Sequence, residues 1–204
     1  MTKVITQVEP AGFLLHLRPV IELTDEQLFA LCQINQELWI ERTAEGDLVI
    51  MPPEGGETNN RSITLVTLLT QWAWQDGTGV TFGSSGGFIL PSGAMRAPDA
   101  AWVRRSRLAA LTPEQKQTFL PLCPDFVVEI RSPSDRLSTV QAKMQEYLDN
   151  GAHLGWLFDP PNRVVYIYRP HQPVERLDNP TTISGEPVLP GFILDLQRIW
   201  EPGF

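Results

Sequence analysis

Asp125-Phe126-Val127-Val128-Glu129-Ile130 sets one carboxylate inside a nearly continuous apolar run. Such a run marks a strand buried on both faces, and strands of that kind belong to sheets covered by helices. A charge there is costly unless it is paired or bound to a metal. Glu129 therefore faces solvent at a strand end, pairs with an arginine, or is a metal ligand. The residues that follow extend the pattern. Ser132-Pro133-Ser134-Asp135 reads as a turn and helix start. A helical pattern runs from about Asp135 to Asp149 and closes at Asn150-Gly151. Leu154–Phe158 and Val164–Tyr168 read as strands separated by the turn Asp159-Pro160-Pro161-Asn162. Strand, helix, strand and hairpin in that order predict an α/β (α+β) chain, a mixed sheet flanked by helices.

The first half is more broken. Thr24-Asp25-Glu26-Gln27 forms a capping box, and a helical stripe continues to about Asn35. Leu38 to Thr43 and Asp47 to Met51 predict two strands around Ala44-Glu45-Gly46, stopped by Pro52-Pro53. A long helix is expected from Glu57 to Gln75, ended by Asp76-Gly77 because glycine accepts the left-handed cap cheaply. Short strands follow at Gly79–Phe82 and Gly87–Leu90. A further strand opens near Pro98-Asp99, and Leu108 to Leu120 reads as a helical connector. The tail, Val174 to Leu196, has room for one or two short strands.

A chain of 204 residues with 42% hydrophobic composition suits one domain over 1–204, with a helix and hairpin extension over about 1–54. A net charge of −8 argues against nonspecific polyphosphate binding through a broad basic face. It leaves room for a carboxylate metal site, which is acidic by construction. No apolar run is long enough to span a membrane, and the first residues carry no leader pattern. Cys32 and Cys123 lie far apart and form no disulfide framework, so a cytoplasmic location is expected.

Asp99 starts one strand and Glu129 lies within another. Two carboxylates on adjacent strands are what a hard divalent cation needs, although an aspartate after proline also opens ordinary turns. A cation should complete the set. Arg131 shares a strand face with Glu129 but stays protonated. Lys143 flanks the stripe Leu137, Val140, Met144 and Leu148 on the following helix, with Tyr147 its neighbour one turn on. From that edge Lys143 can lean over the Glu129 strand or snorkel to solvent.

Together these residues carry a family resemblance: Pro98-Asp99, then Pro124-Asp125 through Glu129-Ile130-Arg131-Ser132-Pro133-Ser134-Asp135, then Lys143, Tyr147, Gly151, Trp156 and Asp159-Pro160. The Glu45–Pro53 hairpin and the Gly55-Gly56-Glu57 helix start agree. The chain resembles the restriction-endonuclease-like family abundant in cyanobacteria, of the PD-(D/E)XK nuclease superfamily, over roughly residues 20 to 195. The resemblance implies the endonuclease-like core, with Asp99 and Glu129 as the motif acids. Arg131 stands where the superfamily pattern has lysine, and Lys143 matches a lysine that has moved to the helix. Glu57 matches a helix acid that sometimes completes the metal site. The implied activity is Mg²⁺- or Mn²⁺-dependent hydrolysis of DNA phosphodiester bonds, with Asp99, Glu129 and the Ile130 carbonyl at the metal. Arg104, Arg105 and Arg107, with Arg131 and Arg136, are the candidate DNA contacts. The rival reading is an inactive nuclease-fold binding or regulatory module. A homodimer using Trp72 and Trp74 is a third, although core packing is the commoner fate of tryptophan.

Overall fold

The computed structural model describes residues 8–9 and 12–204. Residues 1–7, read above for a leader, lie outside the described residues. The chain opens with β1 (Val8–Glu9) and β2 (Gly12–Leu15), followed by α1 (Asp25–Ile34). Thr24 caps α1 through the expected reciprocal pair: its hydroxyl accepts from the Gln27 N–H, and the Gln27 side chain accepts from the Thr24 N–H. β3 (Trp39–Arg42) and β4 (Leu48–Met51) form the predicted hairpin. α2 (Gly56–Asp76) then runs to Gly77, whose φ of 74° supplies the left-handed cap. β5 (Gly79–Gly83), β6 (Phe88–Ile89), β7 (Met95–Arg96) and β8 (Ala100–Arg104) follow.

The expected connector helix is largely absent. α3 (Arg105–Ala109) is one short helix, and only a 3₁₀ turn at Gln115–Gln117 succeeds it. Thr112-Pro113 restarts the chain there, and a proline breaks any continuous helix. The second half matches its periodicity: β9 (Phe126–Ile130), α4 (Leu137–Asp149), β10 (Leu154–Asp159) and β11 (Val164–Tyr168). The tail supplies β12 (Glu175–Asp178), β13 (Thr182–Ser184), β14 (Ile193–Asp195) and the short α5 (Gln197–Trp200).

The main sheet has the order β12-β11-β10-β9-β8-β5. Only β9 and β10 are parallel, joined through α4, while the remaining pairs are antiparallel. This is the mixed sheet flanked by helices that the sequence predicts. Alternation sorts its side chains. Phe126, Val128 and Ile130 join Leu65, Leu69 and Trp156 in a core beneath α2, whereas Val127, Ala101, Val103 and Leu157 join Met144 and Tyr147 beneath α4. Gly155 lets α4 lie close, since a Cβ there would fall 2.4 Å from Met144 Cε. A second sheet, β1-β2-β4-β3-β7-β6, carries the hairpin and packs one face on α1 through Leu28, Ile40, Leu48 and Met95. Among the described residues no helix is long and apolar enough to cross a membrane.

Candidate active site

Phase alone puts Glu129 on the α4 face. Val127 lies in the core under that helix and Ile130 in the opposite one, so Glu129 follows Val127. The β8–β9 ladder pairs Ala100 with Val128, and its continuation by one step sets Asp99 opposite Glu129. Side chains directly across an antiparallel pair are near neighbours. Both acids are buried. Asp99 Oδ2 accepts the Ile130 N–H at 2.6 Å, which ties the two strand ends together.

Lys143 comes down from α4. Its Nζ lies 2.9 Å from Glu129 Oε1 and 2.9 Å from Glu41 Oε1. Tyr147, one turn later, donates its hydroxyl to Glu129 Oε1 at 3.0 Å. The sequence put Tyr147 at the edge of the helix stripe, whereas in the fold it is fully buried and Leu137 and Leu148 are only half-buried. A buried phenol needs a partner for its hydroxyl, and Glu129 is that partner.

Glu41 is the residue that sequence reasoning missed. It projects from β3 and is buried. Its Oε1 also accepts the Ala97 N–H at 2.9 Å, and its Oε2 accepts from Arg96 at 3.0 Å. Arg96 is in turn clamped by both oxygens of Glu146 on α4, at 2.6 and 3.2 Å. In sequence, Glu41 is in phase with Trp39 and, across the hairpin, pairs with Val49. An acid in register with apolar neighbours was the signal available.

Four carboxylates, those of Glu41, Asp99, Glu129 and Glu146, thus meet two cations, Lys143 and Arg96. Two negative charges are left over when all are ionised. Burial, then the nearby Glu129 and Glu54 carboxylates, hold Asp99 well above the ordinary aspartate range. Burial also raises Glu129, because Lys143 is shared with Glu41 and cannot fully offset it. Burial works against Glu41 too, but Lys143 and Arg96 outweigh it and hold that carboxyl below its usual value. Lys143 stays protonated: burial lowers its pKa, but Glu129 and Glu41 together raise it further.

A divalent cation fits this deficit. Among the described residues no group of three or more His, Cys, Asp and Glu side chains is arranged to hold a metal. The protein donors on offer are Asp99, Glu129 and main chain at Ile130. Mg²⁺ typically takes only one or two carboxylates and fills its remaining positions with water and substrate phosphate.

The other expected residues fall elsewhere. Glu57 lines the same cleft but pairs with Arg61 at 2.9 Å. Arg131 does not line it. β9 ends at Ile130, and the Arg131 guanidinium turns to buried Asp159 at 2.8 Å and to the Asp135 carbonyl. Arg104, Arg105 and Arg107 gather at the far end of β8 from Asp99. Arg107 lies 3.1 Å from Asp125, and Arg105 donates to the Gly77 carbonyl. A five-residue strand separates them from the acids, roughly 15 Å at strand rise. They do not line this cleft. Trp72 donates to the Pro190 carbonyl and packs on the core, while Trp74 is exposed.

The cleft encloses about 610 Å³. Hairpin residues form one wall, the first turn of α2 another, and the β9–α4 turn a third, with Asp99, Glu129 and Lys143 on its floor. A mixed sheet flanked by helices is the restriction-endonuclease-like fold. The chain belongs to the Uma2 family, described as "Putative restriction endonuclease", which it matches over residues 25–197. The fold is similar to a crystal structure from Anabaena variabilis ATCC 29413, titled "a putative nuclease belonging to DUF820". That similarity has a TM-score of 0.72 at 19% identity and covers 88% of this chain and 98% of the other. Compared with curated proteins, the sequence finds no match.

Glu41→Gln isolates the buried network. Removing one partner of a buried pair costs about 3 kcal/mol, or roughly 10 °C in Tm for a chain of this size. The pH dependence has a definite sign. A depressed carboxyl stabilises above its unfolded pKa, about 4.3, and loses that contribution as pH falls through the folded value. The gap between wild type and Glu41→Gln should be full at pH 7 and should close below about pH 4. Melting curves across that range test it, and a constant gap would show that the Glu41 charge is not what stabilises.

Proposed function

We propose that the protein is a metal-dependent nuclease that hydrolyses DNA phosphodiester bonds with Mg²⁺ or Mn²⁺. The observation that carries this reading is the pair Asp99, just before β8, and Glu129, opposite it on β9, with Lys143 bonded to one of them and negative charge left over. Asp99, Glu129 and the Ile130 carbonyl would hold the cation. When bound, it supplies charge that polarises the phosphate and lowers the pKa of water.

The chain's own groups divide the remaining work. Lys143, held protonated, presents a fixed positive charge to the oxygens of the reacting phosphate. Glu41 and Tyr147 position it and its partner: Glu41 holds the amine from one side, and Tyr147 holds the Glu129 carboxylate from the other. Arg96 and Glu146 anchor Glu41. The first turn of α2 opens into the same cleft with no side-chain cap, so its N–H groups are available to phosphate oxygens. Arg131 braces the turn into α4 through Asp159 and Asp135, a positioning role.

The test is incubation of the purified chain with plasmid and oligonucleotide DNA in Mg²⁺ or Mn²⁺. Cleavage that EDTA abolishes is the expected result. No cleavage in any metal, with folded protein, would favour the binding or regulatory module.

A further inference from the structure

We propose that Trp39, Met51, Pro52 and Pro53 form a stacking subsite for an unpaired nucleobase. The cleft would then take a single strand or a frayed end in preference to intact duplex. This deepens the nuclease reading and rests on it. Trp39 pairs with Met51 across β3 and β4, one alternation step from Glu41. The sheet face that offers Glu41 to Lys143 therefore offers Trp39 and Met51 to the cleft, and Pro52-Pro53 carries the apolar wall onward. Trp39 is 37% exposed, and no other aromatic ring pairs with it among the described residues. The ring is thus partly exposed in the cleft that Asp99, Glu129 and Lys143 also line.

Charge supports the same conclusion. Five acids line the cleft: Glu54, Glu57, Asp99, Glu129 and Asp135. The two bases that line it are both engaged, Arg61 with Glu57 and the Ile199 carbonyl, Lys143 with Glu41 and Glu129. A duplex binder neutralises several phosphates with free lysines and arginines. The bases that line this cleft leave none to spare; Arg136, exposed at the N-cap of α4, does not line it, and the arginine cluster sits at the other end of β8. Beyond the one reacting phosphate, further affinity needs another source, and stacking of a base on an aromatic face is the sequence-tolerant one. The volume is that of a pocket for a small ligand. One or two unstacked bases suit it better than a double helix.

Two measurements test the subsite. In steady-state cleavage, Trp39→Ala should raise KM for a single-stranded oligonucleotide about tenfold, in line with the loss of one stacked base. The loss should fall on KM more than on kcat, and Trp39→Phe should recover most of it. Binding is read separately on the Asp99→Asn background, free of turnover. A single strand should quench tryptophan fluorescence, and adding Trp39→Phe should remove that quench. The logarithmic salt slope should stay below about 2, because few phosphates are neutralised. The same sequence annealed into duplex should bind and react at least about tenfold worse. DNA and RNA strands are run in parallel, and a Trp39-dependent response to either supports the subsite. Equal use of duplex and single strand with an indifferent Trp39→Ala would overturn it and leave the nuclease reading standing. If no polynucleotide is cleaved, the nuclease reading fails and the fluorescence arm decides. A Trp39-dependent quench by single strand then supports the subsite, and its absence overturns it.

Discussion

Asp99→Ala and Glu129→Ala are each expected to remove metal-dependent cleavage, by on the order of 10³-fold or more. Each variant deletes one of the two carboxylates that face each other where β8 begins and β9 ends. Their stability effects should differ, and that difference tests the charge accounting. Glu129 is bonded to Lys143 and Tyr147. Removing it leaves the buried Tyr147 hydroxyl without its acceptor and a gap beneath α4, while Lys143 keeps Glu41, so Glu129→Ala should melt lower.

Asp99 is the acid without a cation of its own. Its Oδ2 takes one backbone N–H, and burial, then Glu129 and Glu54, raise its pKa. Asp99→Asn keeps the acceptor and removes the charge, so metal-free protein should melt higher at neutral pH. A raised carboxyl costs stability above its folded pKa and costs nothing below its unfolded value near 3.9. The gain should therefore shrink as pH falls toward 4. Saturating Mg²⁺ should stabilise the wild type and not the variant, by mass action on the folded state. Wild-type cleavage that survives EDTA, or a metal-free Asp99→Asn that melts lower at pH 7, would count against the two-acid metal site.

These contrasts show what the sequence could and could not reveal. β9, α4 and β10 were legible because their burial is written in local period: an unbroken apolar strand, a helical stripe, a second apolar strand. The α1 cap and the Gly77 stop were legible because they are chemistry at fixed offsets. β6 falls within the strand expected at Gly87–Leu90, but β7, two residues long, is too short to carry a period. Lys143 could be placed at a helix edge, but choosing between it and Arg131 needed the point where β9 ends. One residue of strand decides whether Arg131 faces the cleft or crosses to Asp159. The arginines after β8 read as neighbours of Asp99 because they are close in sequence, yet an extended strand carries them to the opposite end of the sheet. Glu41 was least legible. Its partners, Ala97, Arg96 and Lys143, all lie far along the chain, and hairpin alternation alone does not say that a helix will cover that face.

The strongest remaining test is of Lys143. Lys143→Ala should lower kcat by about 10²-fold or more, the usual range for a positioned acid–base or electrostatic group, with a much smaller change in KM. Glu41→Gln should lower kcat less, because it frees the amine without deleting it. The double variant should be scarcely worse than Lys143→Ala alone, since Glu41 acts on the reaction through the lysine. Groups in one network are non-additive in this way, and a double-mutant cycle measures the coupling. A merely structural Glu41 would instead lower kcat by the same factor whether or not Lys143 is present. Arg131→Ala is the matched control. Its partners are Asp159 and the Asp135 carbonyl, so it should lower the melting temperature by leaving a buried carboxylate unpaired. Once folded at low temperature, it should retain most of its turnover. Turnover lost in Arg131→Ala and kept in Lys143→Ala would reverse the assignment and return the strand arginine to the centre of the site.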